Sequence, residues 1–559
     1  EAGSEASGVH GGGRDARLLE TEAVDISAGF EPELRGDAEV KFGTRMKFDT
    51  EEALKNLRLR TLAVAGLRHL SLNENLKRRL VDEIGILTPI IAGCLAEQPP
   101  QQPPIDTLFP DRDPTQEERD EYERKDGMFR WNGDLMRHAS AVFANLAEAA
   151  ENQVQMGHTD NLLVALAKVI EHGSLHPKPR PSTPTTRKPE TTDVGYETCR
   201  DAARALCHLS SNPENQVGLF TDPAVLKSLF RLIDIDEEWS RFAALAVGNL
   251  AVHYSNQQQI LANDGLACLI KGLSSRNESL QGAAGRALYR LATDPDNQLR
   301  IVREGGVGPL VNLLYSTNTN CQRCAAMTLC NLSTHPSTQR ELGEPNPPDG
   351  RPPALPALRS ILEGDNLRTA RYGVMTMCNL AADVVNQRHI VECGALDALL
   401  NLLKRAQGML GSDSKTAPDA GAQGGQGGSG GGDDEPVEED EGDYGGLGND
   451  PEACRYAALT LCNLSCRVDN RLDIARQPGA LDALVSLAAG ITLESRRAAA
   501  LTLYNLSSEP ANLRPIAIAN AAAPLIELLR SEDADSRRWA VMALTNFAAN
   551  ADTRRLASR

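Results

Sequence analysis

Two residue types recur along this chain at a spacing suited to recognition chemistry. Arginine stands at Arg137, Arg200, Arg241, Arg323, Arg371, Arg455, Arg497 and Arg538. Eight residues after these come Asn145, His208, Asn249, Asn331, Asn379, Asn463, Asn505 and Asn546. A guanidinium forks onto carboxylate or phosphate oxygens. A primary amide offers both donor and acceptor, so it can pair with the backbone of an extended peptide. One such bond contributes on the order of 1 kcal/mol net, so only several in register would hold a partner. The chemistry these residues suggest is binding rather than bond-making.

Signals for catalysis are missing. There is no Gly-rich phosphate loop, no H-E-x-x-H and no nucleophile elbow. Cys321-x-x-Cys324 has no second pair at zinc spacing, so no metal is expected, and no cofactor is implied. His69 and His208 stand in for asparagine and need no catalytic role. Asn-Leu-Ser at 331, 463 and 505 matches a glycosylation sequon but falls within helical phrases. The chain is expected not to be an enzyme.

The elements that must position these residues come from a repeated phrase, close to A-x-x-L-x-N-L-[SA], which ends a helix about every 41 residues. Clear copies are Ala243–Ala251, Ala325–Ser333, Gly373–Ala381, Ala457–Ser465, Ala499–Ser507 and Ala540–Ala548. Weaker ones are Leu62–Ser71, Ala139–Ala147, Ala202–Ser210 and Ala284–Ala292, where the polar residue becomes His69, Asn145, His208 and Arg290. At about 100° per residue, the residues four and seven before the asparagine share its face, and the arginine lies roughly 80° round. The residues one after, and two, five and six before, fall opposite. Around Asn331 these are Leu332, Leu329, Ala326 and Ala325, which are small or apolar and should pack. The amide then faces away from the core, toward a groove. The alternative is that it bridges to the adjacent repeat.

Between the two polar registers runs a hydrophobic strip. Four before the asparagine come Leu245, Met327, Met375, Leu459, Leu501 and Met542, and seven before come Phe242, Tyr372, Tyr456 and Trp539. Met and aromatic side chains make adaptable contact surfaces, although helical spacing also suits a core stripe. The arginines have two readings as well: clamps onto carboxylates of the neighbouring unit, or a basic rail selecting acidic or phosphorylated partners.

One unit spans a short helix opened by Asn256-Gln257, a turn at Asp264-Gly265, a second helix carrying Leu266, Leu269, Ile270 and Leu273, and a third ending at Leu291. Later units turn at Gly305-Gly306, Gly394 and Gly479, where Gly permits a sharp bend. Units that repeat at this period cannot bury their apolar faces alone and must stack on neighbours.

The period, the three-helix plan and the terminal N-L-[ST] resemble the armadillo repeat of β-catenin, importin-α and the vacuolar and ciliary armadillo scaffolds. The resemblance spans about residues 54 to 559, apart from insertions. It implies an all-α, right-handed α-solenoid (superhelix) of about ten armadillo repeats, serving as a protein-interaction scaffold or adaptor. In that family the matching asparagine bonds the backbone of an extended peptide. The implied partner-binding residues are Asn249, Asn331, Asn379, Asn463, Asn505 and Asn546, flanked by Arg241, Arg323, Arg371, Arg455, Arg497 and Arg538. The groove floor would hold Phe242, Met327, Tyr372, Met375, Tyr456, Trp539 and Met542. Importin-α arrays carry Trp four before the asparagine; Leu or Met stands there in the clear copies, which argues against nuclear-import cargo. Two alternatives are a structural subunit of a cytoskeletal, ciliary or vacuolar assembly and a targeting module of a larger enzyme such as a ubiquitin ligase.

Repeats are expected over 51–404 and 451–559, with a Gly-rich acidic loop at 405–450 and an irregular, disordered segment over 1–50. Insertions at Glu97–Arg130, Ser174–Gly195 and about Gln407–Asp450 fall between second and third helices, beside the arginines. A fourth, Gly343–Pro353, falls between the first and second. The first two are rich in Pro and charge and read as extended linkers or docking segments. The third carries acidic residues from Asp433 to Asp443, either a solvated loop or an internal ligand for the basic rail.

The net charge of −18 argues against nucleic acid as a partner. No apolar window is long enough to span a bilayer, so membrane contact would come through a partner or an unseen lipid anchor. Cys207, Cys330, Cys378 and Cys462 sit inside helical phrases, which points to a reducing compartment, the cytoplasm or nucleus. The sequence opens on Glu1 rather than Met and its last copy stops soon after Phe547, so a fragment is expected.

Overall fold

The computed structural model describes residues 51–82, 85–96, 103, 105–110, 112–175, 194–217, 223–406, 450–490 and 492–550. Among them every regular element is a helix. The chain is an all-α solenoid built from stacked helical repeats, and it divides into two compact units, Glu1–Leu232 and Ile233–Arg559.

The repeat leading to Asn331 shows why the sequence folds locally as it does. Asp294 caps the first helix, Pro295–Arg303, by accepting from the backbone N–H groups of Asp296 and Asn297, with Pro at the first helical position. Gly305, at φ +83°, turns the chain into the second helix, Val307–Leu314. Asn318 then caps the third, Thr319–Leu332, through the N–H groups of Asn320 and Cys321. Gly394 and Gly479 occupy the same left-handed turn at φ +77°. In the turn read as Gly265, however, Asp264 takes the left-handed conformation (φ 60°) and Gly265 opens the helix; Asn520 serves likewise at φ 58°. Asp and Asn tolerate this conformation through local hydrogen bonding, so the turn does not require glycine.

In the second unit the third helices are Ser240–Leu250, Glu278–Leu291, Thr319–Leu332, Leu367–Leu380, Pro451–Cys466, Leu493–Ser507 and Ala534–Ala549, each packed on the next. The row passes directly from Leu367–Leu380 to Pro451–Cys466, so the long insertion does not interrupt the stack. Ala325, Ala326, Leu329 and Leu332 are fully buried, as the angular reading requires. Small side chains at these sites let the helices approach closely.

A second asparagine register fastens several first helices to the third helix before them. Asn256, Asn297, Asn470 and Asn512 donate to the carbonyls of Leu250, Leu291, Leu464 and Leu506 at 3.1–3.2 Å. The following Gln257 and Gln298 donate to the carbonyls of Ala251 and Ala292 at 2.8 and 2.9 Å. These are orphan carbonyls of a helix C-terminus, which need a partner once buried. Asn470 and Asn512 also reach the preceding first helix, at the carbonyls of Gln387 and Arg471.

The first unit is built the same way. Its third helices, Glu51–Leu70, Gln116–Glu148 and Val194–Ser211, pack in sequence. The insertion expected as an extended segment over Glu97–Arg130 is helical from Gln116, because Thr115 and Glu118 form a reciprocal capping box. The helix therefore starts well before the repeat phrase and runs for 33 residues. Arg112 and the Thr115 cap hold the Glu118 carboxyl down to about 2. Residues 176–193 and the acidic stretch Asp433–Asp443 lie outside the described residues, as do 1–50.

Candidate protein-binding face

Each third helix of the second unit presents one half-buried edge. Asn249, Asn331, Asn379, Asn463 and Asn546 are half-buried, and Asn505 is buried. Half-buried too are Phe242, Met327, Tyr372, Met375, Tyr456, Trp539 and Met542. The angular reading thus places these residues on one side of the helix row, opposite the alanines and leucines of the core.

Angles do not show where the amide hydrogens go. Asn379, Asn505 and Asn546 each donate, at 2.9 Å, to the hydroxyl of Ser333, Ser465 and Ser507. In the first unit Asn145 does the same to Ser71 at 3.0 Å. That serine closes the preceding repeat phrase. Its own proton goes back to the carbonyl three residues earlier, as from Ser465 to Cys462 at 2.7 Å, which leaves a lone pair for the amide.

Where the phrase ends in Ala the brace fails, and three outcomes follow. After Ala251, Arg290 turns back and donates to the Asn249 carbonyl oxygen of the side chain at 3.1 Å. After Ala381, Asn463 reaches only the Cys378 carbonyl at 3.4 Å. After Ala292, the Asn331 amide has no side-chain hydrogen bond among the described residues. The choice of Ser or Ala therefore decides whether the next amide is tied to the stack.

The arginines divide in a comparable way. Arg371 pairs with Asp450 at 2.8 Å, Arg455 with Glu452 at 3.0 Å, and Arg497 with Asp533 at 2.5 Å. In the first unit Arg137 pairs with Asp134 at 2.9 Å and Glu197 at 3.4 Å, and Arg200 with Asp201 at 2.9 Å. Arg323 instead bonds the side-chain oxygen of Asn320 at 3.0 Å. Arg241, Arg455 and Arg538 lie 4.8, 4.5 and 4.8 Å from the ring centres of Phe242, Tyr456 and Trp539. Such cation–π stacking holds the charge over an aromatic floor. Arginines clamped by carboxylates thus share one edge with arginines laid on rings.

The cysteines before the asparagines act as packing groups. Cys330, Cys378 and Cys462 are buried beside Thr376, Thr460 and Thr502 of the next helix, and burial pushes their thiols up to about 12, 11 and 12. Thiolate chemistry is suppressed there.

The sequence pattern missed Arg286. It occupies the minus-four position of the copy whose polar residue is Arg290, where the clear copies carry Leu or Met. The signal was that departure from the pattern.

Residues 294–334 match the armadillo/β-catenin-like repeat model. No curated protein matches by sequence. An engineered protein solved by the Northeast Structural Genomics Consortium aligns at a TM-score of 0.55 and 20% identity, over 89% of this chain and 97% of its own. A designed armadillo repeat protein aligns over 50% of this chain and 99% of its own, at 19% identity and a TM-score of 0.39.

Proposed function

Since the chain is an armadillo-repeat protein, we propose that it is a non-catalytic, cytoplasmic or nuclear interaction scaffold. It holds an extended acidic or phosphorylated partner segment along the third-helix face of residues 233–559. The observation that carries this reading is the continuity of that face. Successive third helices leave a polar or cationic group half-exposed in one register, and all of them but Glu278–Leu291 add an apolar or aromatic side chain beside it. A groove built this way offers backbone pairing from amides, adaptable apolar contact, and guanidiniums for negative side chains.

Support for an internal acidic ligand comes from the root of the insertion. The Asp450 N–H donates to the Ala406 carbonyl at 3.0 Å, and the Asp450 carboxylate pairs with Arg371. Ala406 and Asp450, which flank the insertion in sequence, therefore meet at one point beside the basic edge.

A second reading places the partner on the edge formed by the first helices. Val384, Val385 and Val468 are 63%, 51% and 59% exposed there, as a surface joined to a larger assembly would be. Affinity purification from native extract separates the two. Wild type is compared with M327Q/M375Q on the face and V385Q/V468Q on the edge, each first shown to melt like the parent. Partners lost only from the face variant support the groove reading; partners lost only from the edge variant replace it with the assembly reading.

A further inference from the structure

We propose that Arg286, Arg290, Arg323 and Asn331 form a subsite for a phosphorylated serine or threonine carried on an extended partner segment. This rests on the groove reading and gives it an anchor point.

The copy Glu278–Leu291 departs from its neighbours at every face position. Where they carry Arg, an aromatic residue or Cys, Leu or Met, and Asn, it carries Gly282, Ala283, Arg286 and Arg290. Cationic groups thus leave the edge of the face and occupy its floor. Arg286 and Arg290 stand four residues apart, about 6 Å along the axis and on one side. A like-charge pair at that spacing disfavours the helix unless an anion sits between the two. Yet Arg286 is half-buried and forms no hydrogen bond or ion pair among the described residues.

The next helix supplies the other half of the site. Thr328 Oγ1 donates to the Gly285 carbonyl at 3.2 Å, and Cys321 Sγ to the Glu278 carbonyl at 3.2 Å. These contacts on one side, and Cys324 Cβ at 3.0 Å from the Cβ position of Gly285 on the other, bracket the register, so that Arg323 lies nearly level with Gly282, and Asn331 with Arg290. Neighbouring helix axes run about 8–10 Å apart, within reach of long side chains from both. Arg323 is held by Asn320, whose amide nitrogen lies 2.9 Å from where a Cβ on Gly282 would be. The missing side chain at Gly282 is what lets Asn320 stand there. Arg323 has no carboxylate partner among the described residues, and the Asn331 amide is the one that Ala292 leaves unbraced.

Three guanidiniums and an unbraced amide exceed what one carboxylate would satisfy. A phosphomonoester carries about −1.5 to −2 charges and three acceptor oxygens at neutral pH, which matches the set. Arg286 and Arg323 contribute most to recognition, because neither has an ion pair to break among the described residues. Arg290 is shared with Asn249.

The test uses the whole chain on an array of peptides with randomised flanks. The central residue is phosphoserine in one set, serine in a second and glutamate in a third. Wild type is expected to bind the phosphoserine set roughly tenfold or more tightly than the serine set, and the preference should shrink with salt. In R286Q/R323Q the preference should fall to about twofold or less while binding to the serine set persists; R286K/R323K should keep part of it. Melting curves establish that both variants fold. Equal binding to phosphoserine and serine sets in the wild type overturns the subsite and leaves the groove reading standing. A preference unchanged in R286Q/R323Q also overturns it, as does glutamate bound as tightly as phosphoserine. Absence of binding to all three sets overturns the subsite and the groove reading together.

Discussion

Ala292→Ser is the perturbation that reads the amide brace most directly. Ala292 is fully buried at the position where other copies carry an equally buried serine, so the backbone already accommodates a hydroxyl there. The new Oγ should donate to the carbonyl of Tyr289, as Ser333 does to Cys330 at 2.7 Å, and accept from Asn331. A net intramolecular bond of this kind contributes about 0.5–1.5 kcal/mol. The expected gain is an upward shift of the melting midpoint by about 1–3 °C. The converse change, Ser465→Ala, leaves the Asn505 amide, which is 8% exposed, with only a 3.9 Å contact to the weak acceptor Cys466 Sγ. It should cost about 1–3 kcal/mol, because a buried donor without a good acceptor keeps most of its desolvation penalty. Thermal melts of Ala292→Ser, Asn331→Ala and the double variant form a cycle. If Ala292→Ser shifts the midpoint equally with and without Asn331, the gain does not pass through the amide and the brace argument fails. The same substitution should weaken a groove ligand that uses Asn331 by about fivefold, although no contact side chain is removed.

Asn470→Ala removes two buried N–H bonds, to Gln387 and Leu464, and should cost about 2–3 kcal/mol; Asn463→Ala, with only a 3.4 Å contact, should stay within about 0.5 kcal/mol. Matched urea titrations distinguish the two registers, and similar losses would refute the distinction. Arg497 and Ser536 hold the Asp533 carboxyl well below the usual range. A depressed folded-state value gives stability that is present above the unfolded value, about 3.9, and disappears as pH falls through the folded one. Asp533→Asn should therefore melt below wild type at neutral pH, with the gap closing as the pH drops below about 4; a gap that widens in acid contradicts this. Joining Ala406 to Asp450 through a short Gly-Ser linker should leave the melting midpoint nearly unchanged, since the two residues already touch. It should tighten binding of the phosphoserine peptides at low salt, and unchanged affinity would dismiss the internal acidic ligand.

The repeat plan was legible because it rests on local physics. Ala325, Ala326, Leu329 and Leu332 have small or apolar counterparts in each clear copy, and a helix bearing them buries that side where a following repeat covers it; in the last copy Val541 stays 51% exposed. The half-buried setting of Asn331, Met327 and Met375 follows from the same arithmetic of helical rotation. The start of the helix at Gln116 was in principle readable from Thr115-x-x-Glu118, but the Pro-rich and charged composition around it pointed to a linker.

Which residues share a face depends on rotation about one helix axis, so the order of residues along the chain was enough to establish it. Which of those residues are already engaged depends on atoms from the preceding repeat, and that became visible only once the repeats were stacked. Asn379 and Asn331 are the same residue in the same phrase. One is tied to Ser333 and the other is left without a side-chain bond beside Ala292, among the described residues. The acceptor that closes the preceding phrase is present in one stack and absent in the other. Arg371 and Arg323 differ for the same reason: Asp450 reaches the first, and no carboxylate among the described residues reaches the second.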